Sequence, residues 1–176
     1  MITLEEKQRF LDDDLYDALR WLFVGTVTWV ASEDASGNKD PLAMLASLTQ
    51  ARALYEFFYA AGNGDDARAS HFCMSGSWNP TRSCAYTNYM GPGKPANKRI
   101  SHLVYNRSLH AGGPGDDEST HLKNQVLNFA KDLQTITEQF ISCAEPQFQG
   151  CAQSALDKAL SEAQKTANLR SVANPL

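Results

Sequence analysis

The sequence predicts an all-α fold, a single-domain bundle of about five main helices around a buried central helix at 41–60, with a long aromatic-containing loop. Three observations predict it. The stretch from Pro41 to Tyr59, placed at about 100° per residue, carries apolar side chains on nearly every side. A helix that is hydrophobic all round is normally covered on several faces. Next, Leu122, Val126, Phe129, Leu133, Ile136 and Phe140 fall on one narrow helical line. Finally, no run of alternating apolar and polar residues reads as a strand, and neither an internal repeat nor a low-complexity tract interrupts the chain.

Composition fits this reading. A chain of 176 residues can bury a substantial core as one domain spanning 1–176. Its 43% hydrophobic and 20% charged content is ordinary for a soluble globular protein. A formal charge of −4 disfavours a broad nucleic-acid-coating surface and leaves room for a local basic patch. Cys73, Cys84, Cys143 and Cys151 show no C-x-x-C spacing and follow no secretory pattern, so reduced thiols and a cytoplasmic location are expected.

Thr3-Leu4-Glu5-Glu6 has the form of a capping box, which starts the first helix. Leu4, Leu11, Leu15, Ala18, Leu22, Thr26 and Trp29 then share a stripe, and the helix is expected to run to about Ala31. Gly25 costs helix propensity and points to a close neighbour or a slight bend. The apolar run from Trp21 to Val30 is too short to span a bilayer and follows Asp12-Asp13-Asp14, so it reads as core, with no membrane partner. The polar stretch 32–40 is a turn. Asp40-Pro41 supplies a cap and then proline at the first helical position.

Gly62-Asn63-Gly64 ends the central helix, and Asp65-Asp66 can cap a short helix reaching about Cys73. From 74 to 94 the chain is loop-like, and Trp78, Tyr86 and Tyr89 suggest that it packs on the bundle. Pro95 opens a further helix with Ile100, Leu103, Val104 and Arg107 on one stripe and His102 opposite, beside Arg99 and Asn106. Asp116-Asp117-Glu118 places negative charge at the next helix start, as the macrodipole favours. Pro146 lies beyond that helix. Ala155, Leu156, Ala159, Leu160 and Ala163 give the C-terminal stretch a small-residue face, read as a docked helix or as a peripheral helix and tail over 151–176.

Two constellations can carry function. Arg52 and Glu56 sit one turn apart between apolar arcs of the central helix, and Arg107 lies on the inner stripe of its own helix. Buried guanidinium groups need carboxylate partners, so a buried network is expected in which Glu56 bridges arginines of two helices. It serves either helix register or a small-anion site. The second constellation is the basic segment Lys94, Lys98, Arg99, His102 and Asn106 with Asn97 and Tyr105 nearby, read either as a solvated face or as a phosphate or acid–base site. No metal is expected, because His71, Cys73, Cys84 and His102 lack a recognised ligand spacing. No cofactor is expected either: Gly91-Pro92-Gly93-Lys94 lacks the length and the Ser/Thr of a Walker loop.

Arg52-Ala53-Leu54-Tyr55-Glu56-Phe57 and Asn97-Lys98-Arg99-Ile100-Ser101-His102-Leu103-Val104-Tyr105-Asn106-Arg107 resemble the recurrent phrases of a group of small bacterial helical proteins without an established activity. The likeness covers residues 50–107. More loosely, the chain is similar to HEPN domains, helical bundles that include RNases and nucleotide-binding partners. The HEPN nuclease pattern separates Arg and His by four to six residues, whereas Arg68/His71, Arg99/His102 and Arg107/His110 each have two between them. This resemblance implies the helical architecture, with a metal-independent RNase using His102 and Arg99 as its alternative function. The leading expectation is a binding or regulatory bundle. Homodimerisation and RNA, nucleotide or small-anion ligands are the partner classes it allows.

Overall fold

The computed structural model describes residues 3–31, 40–59, 66–87 and 117–173. The described residues are helical with no strand, as expected. Helix α1 (Leu4–Arg9) runs through a π-helical turn (Phe10–Leu15) into α2 (Tyr16–Ala31), and α3 (Pro41–Tyr59) follows. The chain continues with a 3-10 turn (Ala69–His71), α4 (Asp117–Cys143) and α5 (Pro146–Ala173). No described helix is long and apolar enough to cross a membrane. The helix expected from Pro95, with His102, Arg99, Asn97, Lys98, Tyr105 and Arg107, lies outside the described residues, as does the end of the aromatic loop.

The capping box at the start of α1 forms as read: the Glu6 N–H donates to Thr3 Oγ1 (3.2 Å) and the Thr3 N–H donates to Glu6 Oε2 (2.7 Å). Along the α1–α2 stripe Leu11, Leu15, Leu22, Thr26 and Trp29 are buried. Leu4, in the first turn, is exposed.

At the start of α3, Asp40 Oδ1 accepts from the Leu42 and Ala43 N–H groups (2.9 and 3.2 Å), which satisfies two donors left orphaned by the helix start. Helices α2 and α3 meet at Gly25. A Cβ there would stand 2.8 Å from the Ala43 carbonyl oxygen, so the backbones touch where the sequence places a glycine. Beside that contact the hydroxyls of Thr26 and Ser47 lie 2.7 Å apart, both within reach of the Leu22 carbonyl.

Helix α3 is covered on several faces. Met44, Leu48, Ala51, Leu54, Tyr55 and Phe58 are buried, but one strip stays open: Leu42, Thr49, Ala53 and Glu56, spaced by seven, four and three residues. This arrangement corrects the expected burial of Arg52 and Glu56; Arg107, the third member of the expected network, lies outside the described residues. Arg52 Nε does donate to Glu56 Oε1 (2.9 Å), yet the side chains are 40% and 60% exposed. Glu56 stands on the open strip, where solvent compensates its charge alongside Arg52.

The segment 66–87 also departs from expectation. In place of a helix capped by Asp65-Asp66 and reaching Cys73, residues 66–73 form only the 3-10 turn after Arg68, without a side-chain cap, and a short helical turn follows at 84–87. Backbone partners lie across the fold: the Phe72 carbonyl accepts from the Glu145 N–H (2.8 Å), and Cys73 forms an isolated antiparallel bridge with Ala144. The aromatic residues downstream pack down as read. The Trp78 indole N–H donates to the Phe58 carbonyl (2.9 Å), and the Tyr86 ring lies 4.7 Å from Tyr59.

Helix α4 begins at the acidic triplet and buries Val126, Phe129, Leu133, Ile136 and Phe140 in the expected line. Phe140 meets Phe57, Phe58, Phe72 and Trp78 edge-on, with ring centroids 5.5 to 6.0 Å away. Pro146 occupies the first position of α5, whose small-residue face (Ala152, Ala155, Leu156, Ala159, Ala163) is buried against α2. Alanines bring the two helices close, so α5 belongs to the core rather than to a periphery.

Candidate functional site

The C-terminal part of the open strip on α3, Ala53 and Glu56, lines a cleft together with Gln50, Leu54 and Phe57. Within the π-helical turn, Leu11 and Leu15 are fully buried, and that turn packs on α5. Phe10 and Asp14, four residues apart, line the cleft, with Leu15 reaching its floor. π-Helical turns inside α-helices are rare and occur frequently at functional sites. Phe10 is held by the Phe57 and Phe72 rings, at 5.5 and 5.6 Å between centroids.

The cleft between these elements has a volume of about 500 Å³, within the size range of small-ligand sites. Its apolar surface comes from Phe10, Leu15, Ala18, Ala53, Leu54, Phe57 and Ala67. Asp14, Glu56, Asp66, Gln50 and Arg68 supply the polar groups, three carboxylates against one guanidinium. Asp14, Glu56 and Asp66 are exposed, which puts them at the mouth, whereas Leu15, Leu54 and Phe57 are buried. Among the described residues, the lining contains no Ser, Thr, Cys, His, Lys or Tyr, and its ionisable groups are Asp14, Glu56, Asp66 and Arg68. An apolar floor under a ring of mostly negative charge suits the holding of a ligand.

A second polar cluster fastens the 66–87 segment to the bundle. The Tyr55 hydroxyl donates to Asp132 Oδ2, and Ser83 Oγ donates to the same oxygen (2.5 Å). Ser83 Oγ in turn accepts from the Tyr86 N–H (3.0 Å), capping a short turn. Burial first, and then the bond to Asp132, push the Tyr55 phenol far above its ordinary range. This is a clamp between α3, α4 and the loop, and no sequence reading singled it out. The partners are 77 and 49 residues apart, with no local signature.

On the opposite side of α2, Glu162 accepts from Tyr16 (2.6 Å) and Arg20 (2.5 Å), bonds that hold its carboxyl below the ordinary carboxylate range. Near the cleft, Lys7 Nζ donates to the His71 carbonyl (2.5 Å). Burial, with Arg68 and Lys7 nearby, lowers the His71 pKa.

Of the residues that the sequence nominates, Glu56 lines the cleft and Arg52 stands beside it as its partner. Among the described residues no group of three or more His, Cys, Asp or Glu is placed to hold a metal ion. What sequence reasoning missed is Asp14 and Phe10, because a π-helical turn leaves the i, i+4 leucine pattern intact while redirecting its neighbours. The signal available was the Asp12-Asp13-Asp14 run, out of place against an apolar helix. No family model, no curated protein and no solved structure matches this chain.

Proposed function

We propose that the protein is a ligand-binding bundle whose cleft takes a cation carrying an apolar body, such as an aryl- or alkylamine. One observation carries the reading: an apolar floor built by the π-helical turn and α3 lies beneath a mouth bearing Asp14, Glu56 and Asp66. The apolar body gains by burial at about 25 cal/mol per Å². The ammonium stays at the mouth, partly hydrated, where carboxylates offset what hydration it loses. A small anion fits this cleft less well, since Arg68 shares the lining with Asp14 and Asp66 and the Arg52 guanidinium is engaged by Glu56.

The test is a thermal-shift titration of the full chain with phenylpropylamine and, in parallel, with phenylpropionate, its anionic counterpart. At ten times Kd a ligand stabilises the folded state by about 1.4 kcal/mol, a rise of about 3–6 °C for a chain of this size. The amine should produce that rise and the carboxylate should not. Equal shifts for both ligands, or none for the amine up to solubility, overturn the proposal.

A further inference from the structure

We propose that Cys73 and Cys143 form an oxidisable dithiol site that a small disulfide such as oxidised glutathione converts to an intramolecular disulfide, locking the 66–87 segment to the α4–α5 junction. The argument starts from backbone geometry. Cys73 bridges Ala144, the residue after Cys143, and the neighbouring Phe72 carbonyl accepts from the Glu145 N–H (2.8 Å). These two links hold the chain around Cys73 against the end of α4.

Immediately after Cys73 the chain turns back. The Ser77 N–H and Ser77 Oγ both donate to the Met74 carbonyl (2.9 and 2.6 Å), and Gly76 sits at φ +76°, a left-handed conformation that favours glycine. The turn brings Ser77 Oγ to 3.4 Å from Cys143 Sγ. Cys143 is also the group that, after burial, most raises the Cys73 pKa, so the two side chains adjoin beside the Cys73–Ala144 bridge.

Their surroundings divide the chemistry. Cys73 is 4% exposed, and burial, with Cys143 beside it, pushes its pKa up to about 12. Such a thiol is a poor first nucleophile toward a reagent in solvent. Cys143 is half-buried and reachable. Its thiolate attacks one sulfur of the small disulfide, forming a mixed disulfide and expelling one small thiolate. Cys73 then gives up its proton, and its sulfur attacks Cys143 Sγ, displacing the second small thiolate. Two protein thiol protons end on the two released thiols, and two electrons pass from the protein to the small disulfide. Cys73 needs no access from solvent, because its step is internal.

The bond closes a long loop, from 73 to 143, and restrains the unfolded chain accordingly. It also fixes the segment that carries Asp66 and Arg68. The inference stands apart from the ligand cleft and survives the failure of that proposal.

The test equilibrates the full chain in glutathione buffers of rising oxidised fraction, quenches with acid, alkylates, and maps the peptides by mass spectrometry. The expected product is a Cys73–Cys143 cross-link, with Cys84 and Cys151 alkylated and a higher Tm that reductant reverses. Cys73→Ala should trap glutathione on Cys143, while Cys143→Ser should leave Cys73 alkylated after denaturing quench. Glutathione persisting on Cys143 of the unaltered chain, or a cross-link through Cys84 or Cys151 instead, overturns the proposal. The mapping on the unaltered chain decides the matter even if a variant does not fold.

Discussion

Replacing Gly25 by alanine tests the contact on which the α2–α3 pair is built. The new Cβ would stand 2.8 Å from the Ala43 carbonyl oxygen, 3.1 Å from the Ser47 nitrogen and 3.3 Å from Ser47 Cβ. The two closest are backbone atoms, so no side chain can swing away, and the helices must part by about half an ångström. The substitution gains about 1 kcal/mol of helix propensity. Against this stand about 1–3 kcal/mol for overpacking. Stretching the Thr26–Ser47 contact and the bonds to the Leu22 carbonyl costs about 1 kcal/mol more for each one lost. The net expectation is a loss of about 1–3 kcal/mol, or roughly 2–12 °C in Tm. Gly150→Ala is the internal control: nothing lies within 4 Å of its added Cβ, so it should stabilise by about 1 kcal/mol from propensity alone. Urea titrations followed by far-ultraviolet circular dichroism give both values by linear extrapolation. A Gly25→Ala protein as stable as the parent, or more so, would refute the close approach.

Three further outcomes follow from the geometry. Glu56→Ala should change stability by no more than about 0.5 kcal/mol in urea titrations, because its ion pair with Arg52 is exposed; a loss of about 3–5 kcal/mol would restore the buried network. Tyr55→Phe should cost about 1–3 kcal/mol by leaving Asp132 with Ser83 alone. The folded state holds the Tyr55 proton beyond the ordinary phenol value of 10.0. Stability therefore falls as pH rises past that value, where the unfolded chain ionises first. The variant should show a shallower decline in urea midpoint between about pH 9 and 11. Glu162 behaves in the opposite sense: bonds from Tyr16 and then Arg20 hold its carboxyl below its ordinary 4.5. Its contribution is present above that value and is lost as pH falls, so Glu162→Gln should flatten the acid limb of a Tm–pH curve.

Much of the frame was legible because its signals are local. Thr3 with Glu6, Asp40 with Pro41, and Gly25 each declare a physical need within a few residues, and each need is met where expected. The narrow line from Val126 to Phe140 was equally plain. Other features depend on what stands opposite. An apolar pattern on every side of α3 cannot say which strip its neighbours leave open, so Leu42, Ala53 and Glu56 read as inner positions and proved to be outer ones. The alanine face of α5 looked weak because its burial depends on α2 coming close. The 66–87 segment forms backbone bonds to residues about seventy positions away, and nothing near Asp66 signals that. As for the site, Glu56 was named as a buried residue and stands exposed at the cleft mouth, and Asp14 was hidden by the π-helical turn.

The most direct test of the ligand cleft is amide chemical-shift mapping of the isotope-labelled full chain during titration with phenylpropylamine. Binding in the cleft predicts saturable shifts gathered at 10–18, 50–57 and 66–68, weakened by Asp14→Asn combined with Glu56→Gln. Shifts gathered on α4 and α5 instead, or an identical pattern and affinity with phenylpropionate, would contradict it.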